Sequence, residues 1–253
     1  MTKQQAWDRA LAQLSIDYNA PREAFLAEGV TLTESKALPG RRRYSEQAPF
    51  FQMATTGRGA VIAADPCLHE GLRAWTAGRE QGHWLFEQQN TPPLEALLAA
   101  HGWQLFMTHH MFLPTRSFTP RPLPAGLTER WYDERTVYEL YPSAFHNAIS
   151  ETENLLRPDV IALAALEGET IVALAGASAD AENFWQVGID VLPAWRGRGL
   201  GSLLVENLCA RMEERGAVPF YGTAPANLHS QNIALNCGFR PAWVELTSKP
   251  KEE

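Results

Sequence analysis

The chain has 253 residues, a formal charge of −7 and 45% hydrophobic residues. This length exceeds one typical domain, so we expect two domains with substantial cores. The acidic balance excludes a protein whose overall charge draws it to nucleic acid or to an anionic membrane. Three cysteines without a Cys-x-x-Cys pair predict no metal site, and the lack of an apolar signal segment or membrane-length run predicts a cytoplasmic protein.

The first part of the chain predicts a small α+β domain. Apolar residues at helical spacing predict a helix within Met1–Asp17. Strands are predicted at Arg41–Glu46, Phe50–Thr55, Gly59–Ala64 and Trp103–Leu113. Further helices are predicted near Leu68–Ala77 and Leu94–His101. We interpret the run Arg41-Arg42-Arg43 as a solvated strand end, with binding of an anionic group as the alternative.

A proline-rich stretch separates the two parts of the chain. Pro114, Pro120, Pro122 and Pro124 interrupt a segment without helical or strand periodicity. Prolines at this spacing form a stiff, extended connector. We therefore expect an N-terminal domain over residues 1–118 and a second domain over residues 119–253.

The second part predicts a sheet flanked by helices. Its predicted strands are Gly126–Asp133, Val160–Leu166, Thr170–Ala177, Asn183–Val191 and Pro219–Thr223. Its predicted helices are Thr136–Ile149 and Leu200–Arg215, the second of which Gly216 ends.

The turn between the strand at 183–191 and the helix at 200–215 is rich in glycine. Val191 to Gly201 spells Val-Leu-Pro-Ala-Trp-Arg-Gly-Arg-Gly-Leu-Gly. A strand, a glycine turn and a helix in this order direct unpaired backbone N–H groups at one point, which suits a pyrophosphate. Serine at position 202 breaks the dinucleotide fingerprint, and no lysine is near enough for a Walker loop.

The pattern Arg196-x-x-Gly199-x-Gly201 resembles the acyl-CoA signature of the GNAT superfamily of N-acetyltransferases. The stretch from Asn227 to Phe239 is similar to the next part of the GNAT pattern: an asparagine comes first, a helical stretch follows, and Gly238-Phe239 closes it. The resemblance covers about residues 183–243. It implies a GNAT fold, which is a mixed, mostly antiparallel α/β sheet with splayed fourth and fifth strands, beside the smaller N-terminal α+β domain.

The resemblance also implies how acetyl-CoA binds. Ile189, Asp190 and Val191 would contact the pantetheine arm or polarise the thioester carbonyl, and Asn227 and Ser230 would reach the arm from the next helix. The pyrophosphate would lie on Arg196, Gly197, Arg198, Gly199, Leu200, Gly201 and Ser202.

The catalytic acid and base are not evident from the resemblance. The position of the usual family tyrosine is Ala234, and the position of a frequent catalytic glutamate is Trp185. Tyr221, Ser230 and Glu151 remain as candidates for proton transfer.

The expected activity is acetyl-CoA-dependent acetylation of a small amine by direct attack on the thioester. One alternative is a GNAT domain that binds acyl-CoA as a sensor or scaffold without turnover, which the residues at 185 and 234 motivate. A second is transfer of a longer acyl chain. The small amine is the expected partner, nucleic acid and membrane are not, and a homodimer is left open.

Overall fold

The structure, a computed structural model, describes residues 1–252. Its helices are α1 (Lys3–Asp17), α2 (His69–Thr76), α3 (Pro92–Ala100), α4 (Leu200–Glu214) and α5 (Leu228–Asn236). Its strands are β1 (Val30–Glu34), β2 (Phe51–Thr55), β3 (Ala60–Ala64), β4 (Trp103–Pro114), β5 (Thr128–Asp133), β6 (Asp159–Glu167), β7 (Thr170–Ala181), β8 (Phe184–Val191), β9 (Val218–Thr223) and β10 (Phe239–Pro250).

The residues form two compact units. One comprises residues 1–7, 112–222 and 227–240, and the other comprises residues 8–111, 223–226 and 241 onward. The expected division between residues 118 and 119 stays a prediction.

The unit that holds residues 8–111 is built on strands β1, β3, β2 and β10, in that order. β1 is parallel to β3, whereas β2 is antiparallel to both β3 and β10. Every residue of β2 and β3 is buried, and for β3 its continuous apolar run leads one to expect this. Strand β1 was not predicted, because its five residues include only two apolar ones and lie partly exposed at the edge.

The interpretation of Arg41-Arg42-Arg43 as a solvated strand end is wrong. Residues 41–46 form bends rather than a strand, and Arg41 and Arg42 are 6% and 4% exposed. Arg41 donates to three backbone carbonyls of the same loop, at residues 45, 46 and 47. Its side chain thus replaces the hydrogen bonds that a strand partner would have supplied.

Arg42 lies between two buried carboxylates. Its Nε donates to Asp17 Oδ2 at 2.5 Å, and its other nitrogens donate to Glu245. The indole of Trp243 also donates to Glu245, at 2.7 Å. Burial alone would lower the pKa of Arg42, but the two carboxylates outweigh it and raise that pKa well above its usual value. The side chain of Arg42 therefore holds this loop to the unit, and its charge is not available to an anionic ligand.

Arg42→Met will lower the free energy of unfolding by about 3–5 kcal/mol, because it leaves two buried carboxylates without their cation. Arg43→Met is the matched control, since Arg43 pairs with Glu46 where the two side chains are 48% and 77% exposed. The control will change stability by less than about 1 kcal/mol. Chemical denaturation measures both, and equal stability of the two variants would contradict the structural role of Arg42.

The unit that holds residues 112–222 is built on β9, β8, β7, β6 and β5, in that order. The strands from β5 to β8 are antiparallel neighbours, and β9 runs parallel to β8. Helix α4 packs on the sheet through a buried stripe that includes Leu204, Leu208 and Met212. The predicted mixed, mostly antiparallel sheet is therefore present in this unit.

The helix predicted at Thr136–Ile149 is wrong. A short 3-10 turn at Val137–Leu140 is followed by irregular backbone. Pro142 stands in the middle of the predicted helix, where it lacks the N–H that the helix needs and where its ring clashes with the preceding turn. The irregular segment that results, residues 145–150, becomes part of the candidate site.

Candidate functional site

Strands β8 and β9 pair over only part of their length. Their parallel register begins with Phe184 opposite Val218 and ends with Val187 opposite Tyr221. On its other edge, β8 stays paired with β7 as far as Val191. The stretch from Gly188 to Val191 therefore has one backbone edge with which β9 does not pair.

The direction of the backbone groups identifies the residues that face this open edge. Leu192 donates its N–H to the carbonyl of Val172 on β7, at 2.9 Å. Successive residues of a strand point their N–H and C=O groups to opposite edges. The backbone groups of Ile189 and Val191 therefore face away from β7, on the side where β9 diverges.

Helix α4 begins on glycine, without a side-chain cap. The N-cap residue Gly199 has φ 76°, and Gly197 has φ 75°, a left-handed conformation that favours glycine at both positions. No group within residues 1–252 accepts a hydrogen bond from the backbone N–H of Gly199, Leu200, Gly201 or Ser202. Four free donors at the positive end of a helix form a site for an anion.

Two arginines flank these donors. The Nε of Arg196 donates to the carbonyl of Val191 at 2.9 Å, which ties the turn to the end of β8. The guanidinium of Arg198 stacks over the ring of Trp195, 4.8 Å from its centroid. Both arginines are exposed, so they add positive charge beside the helix start without a carboxylate partner within residues 1–252.

Gly201 brings the first turn of α4 close to β8. A Cβ built at this position would lie 3.4 Å from Val191 Cγ2 and 3.6 Å from Ile189 Cγ1. The free N–H groups therefore lie directly beside the open edge of β8.

Tyr221 and Ser230 are brought together by β9 and α5. The phenol oxygen of Tyr221 lies 2.8 Å from Ser230 Oγ. Tyr221 is 2% exposed, and burial raises its pKa to about 12. The phenol is therefore protonated at neutral pH, while Ser230 connects it to the partly exposed surface of α5.

Asn227 caps helix α5. Its side-chain oxygen accepts the backbone N–H of Ser230 at 3.1 Å. This bond fixes the start of α5, and with it the place of Ser230 against Tyr221. Ala234, at the position of the usual family tyrosine, is fully buried.

The side chain of Asp190 binds the irregular segment at residues 145–150. Its carboxylate accepts the backbone N–H groups of Asn147 and Ala148, at 2.7 and 3.1 Å, and the side-chain amide of Asn147 at 2.7 Å. Glycines let the same segment approach the sheet: a Cβ at Gly188 would lie 1.9 Å from Asn147 O, and one at Gly176 would lie 2.2 Å from Ala148 O. Asp190 is thus a positioning residue for residues 147 and 148.

A cavity of about 240 Å³ lies beside this segment. Residues 146–150 form one wall, and Val187 and Gly188 of β8 form another. Its polar lining includes Arg157, Asp159 and Gln186. Gly188, which lines the cavity, is followed in the chain by Ile189, the first residue whose backbone groups face the open edge.

Residues 127–239 match the family model of the acetyltransferase (GNAT) family. The chain contains a GNAT acetyltransferase domain. The predicted GNAT fold is thereby confirmed, with β8 and β9 as its splayed fourth and fifth strands. The domain makes the protein an acyltransferase, as predicted, from a family whose chemistry is acetyl transfer from acetyl-CoA.

Several solved structures are similar to this chain. A GCN5-related N-acetyltransferase-like protein from Streptococcus suis has a TM-score of 0.50 and 18% identity, covering 82% of this chain and 86% of that one. A Drosophila protein has a TM-score of 0.48 and 16% identity, covering 98% and 87%. The yncA protein of Salmonella typhimurium, solved with acetyl-CoA, has a TM-score of 0.35 and 17% identity, covering 51% and 95%. No curated protein sequence matches.

Glu151 contacts His146, whereas Tyr221 and Ser230 contact each other. Glu151 follows the segment at 145–150, where its carboxylate contacts His146 Nδ1 at 3.2 Å, and both side chains are largely exposed. Of the three residues predicted for proton transfer, the fold joins Tyr221 to Ser230 by a hydrogen bond and directs Glu151 to His146.

Sequence reasoning missed the polar lining of the cavity. Arg157, Asp159, Ser178 and Gln186 come from a loop and three different strands. Their sequence separations match no motif, so only the sheet order brings them together. The one local signal was the glycine at position 188, which marks a close approach of another backbone.

The described residues form neither a metal-binding cluster nor a helix that could cross a membrane. Over residues 1–252, no group of three or more histidine, cysteine, aspartate or glutamate side chains is placed to hold a metal ion. Over the same range, no helix combines the length and apolar character that crossing a bilayer requires.

Gly188→Ala will lower the free energy of unfolding by about 1–3 kcal/mol, because the new methyl group must displace the backbone at Asn147. Gly201→Ala is the comparison, since its methyl group meets only ordinary contacts at 3.4 Å and beyond. Denaturant unfolding measures both variants. An unchanged stability for Gly188→Ala would mean that residues 147 and 148 do not rest on this glycine.

Proposed function

We propose that the protein is an acetyl-CoA-dependent N-acetyltransferase that acts on a small amine. The observation that carries this proposal is the set of four uncapped N–H groups at the start of α4, beside the open edge of β8. Location in the cytoplasm and a homodimeric state stay predictions.

The cosubstrate follows β8 and then turns onto α4. Its pyrophosphate accepts hydrogen bonds from the N–H groups of residues 199–202, and Arg196 and Arg198 add positive charge. The left-handed turn at Gly197 and Gly199 leaves open space where a side chain would stand. The pantetheine arm, an amide chain, pairs with the open backbone edge at Ile189 and Val191.

Helix α5 approaches the arm from the other side. The side-chain oxygen of Asn227 is engaged by its own helix, which leaves Nδ2 to donate to an arm carbonyl. Ser230 lies one helical turn further on, with its hydroxyl between Tyr221 and the cleft.

The reaction is direct transfer. The neutral amine attacks the thioester carbon, a C–N bond forms and the C–S bond breaks, so that the thiolate of CoA leaves and the nitrogen loses a proton to water. A backbone N–H on the open edge of β8 stabilises the developing oxyanion. Ser230 protonates the thiolate and is reprotonated by Tyr221, and the buried phenol recovers its proton from solvent through the partly exposed hydroxyl of Ser230. In this proposal, Tyr221 and Ser230 take the role of the usual family tyrosine, whose position in this chain is occupied by Ala234.

Gly199→Asp will abolish CoA binding, because it places a carboxylate where the phosphate lies. For the wild type, CoA at about one hundred times its Kd adds roughly 2.7 kcal/mol of stability, and a thermal shift assay reads this change. Gly126→Asp is the matched control: Gly126 also has positive φ, 88°, and open space around it, and it lies outside the site.

A full thermal shift in Gly199→Asp would count against the placement of the pyrophosphate. If both variants lose the thermal shift, backbone strain at the substituted glycine explains the loss of CoA binding instead.

Tyr221→Phe will lower kcat about 100-fold and leave KM for acetyl-CoA unchanged, because it removes the proton supply to Ser230 and keeps the buried ring. Tyr138→Phe is the control, since that phenol is on a ring that is 59% exposed. Release of free thiol from acetyl-CoA across a panel of amines measures both variants.

Wild-type activity in Tyr221→Phe would contradict the proton relay. Tight CoA binding by the wild type without thiol release for any amine would favour a sensor or scaffold, the alternative that Ala234 and Trp185 motivate.

A further inference from the structure

Asp159, at the start of β6, has one carboxylate oxygen without a protein partner. The residue is 6% exposed. Its Oδ2 accepts the hydroxyl of Tyr141 and, at 2.9 Å, the backbone N–H of Ser150. Its Oδ1 has no partner within residues 1–252 and is not sealed from solvent, and the residue lines the cavity beside β8. A carboxylate oxygen at such a buried position favours a donor supplied by a ligand.

The positive charge in the cavity wall is already compensated. Arg157 donates to Asp180 Oδ1 at 2.9 Å, and the side chain of Asp180 is fully buried. The same guanidinium donates to Ser178 Oγ at 3.3 Å and to Gln186 Oε1 at 3.2 Å. The second oxygen of Asp180 is buried without a partner. Arg157, Asp159 and Asp180 together therefore carry one cation and two carboxylates, which is one net negative charge at this end of the cavity.

The other charged groups near the cavity do not reverse this balance. Glu151 compensates His146 when that imidazole is protonated. The carboxylate of Asp190 is directed at the N–H groups of residues 147 and 148. The cavity therefore favours a cation and a hydrophilic ligand over an anion or an aromatic amine.

The cavity also lies where an acceptor must be. Val187 and Gly188 line it, and the backbone of Ile189, the next residue, faces the open edge along which the thioester would lie. A ligand anchored at Asp159 thus extends toward the reacting carbon. The extension of the ligand toward the thioester rests on the proposed function, whereas the affinity of Asp159 for a cation does not.

We propose that the acceptor is a polar diamine, with one ammonium group bound to Asp159 while the other amino group is acetylated. The attacking nitrogen must be unprotonated to form the C–N bond. The charge that Asp159 binds therefore belongs to a second amino group, as in an aliphatic diamine or a molecule with two amino substituents.

Three amines of similar length test this proposal: 1,4-diaminobutane, butylamine and 4-aminobutanoate. Calorimetric titration without CoA will show that the wild type binds the diamine at least about tenfold more tightly than Asp159→Asn does, because the variant lacks the charge-assisted hydrogen bond. Thiol release from acetyl-CoA will show a kcat/KM at least about tenfold higher for the diamine than for the other two amines, because only the diamine can keep one ammonium on Asp159 while its other nitrogen attacks.

Asp159→Asn will remove this preference. The amide oxygen still accepts from Tyr141 and Ser150, so the fold is preserved while the charge in the cavity is lost. Glu169→Gln is the matched control, because that carboxylate is 92% exposed on the β6–β7 hairpin. The thermal shift with CoA will be the same in wild type and both variants.

Equal kcat/KM for the three amines in the wild type would overturn the proposal, and this measurement needs no variant. A diamine preference that persists in Asp159→Asn would overturn it as well. Failure of CoA to bind the wild type would overturn the proposed function alone, since diamine binding is measured without CoA.

Discussion

The free N–H groups at the start of α4 set the geometry of the whole site. A helix normally covers these donors with a side-chain cap, as Asn227 does for α5. Helix α4 begins instead on Gly199, which has no side chain to give. Because Gly201 packs against the end of β8, the uncapped donors lie next to the one stretch of that strand that β9 leaves open. In the proposed complex, this one strand, turn and helix would therefore fix both the phosphate end and the thioester end of the cosubstrate.

Strand alternation would let β8 serve both substrates of the proposed reaction. The backbone groups of Ile189 and Val191 face the open edge, where the donor would bind. The side chain of Asp190, between them, holds residues 147 and 148, and Gly188 lets that segment rest directly on the sheet. The wall of the proposed acceptor cavity is thus anchored to the same strand that would bind the donor. A shift of β8 would therefore move both proposed binding places together.

The sequence predicted what is encoded locally. The strand that ends at Val191 and the helix that begins at Leu200 follow from apolar periodicity and glycine spacing, and the structure places both within a residue of the prediction. Features that depend on distant residues were missed. Arg42 looked solvated because nothing near it in sequence reveals Glu245, more than 200 residues away. Asp159 carried no signal because its cavity is assembled from separate strands. The helix expected around Pro142 failed for a local reason, since apolar spacing was given more weight than the proline.

The most direct measurement of the central claim is the amide NMR spectrum of residues 197–202 during a titration with CoA. If a diphosphate lies on the start of α4, the N–H signals of Gly199, Leu200, Gly201 and Ser202 will move together, with one common Kd, and inorganic pyrophosphate will move the same signals. If CoA binds while those four signals stay in place, the diphosphate lies elsewhere and the account of the site is wrong.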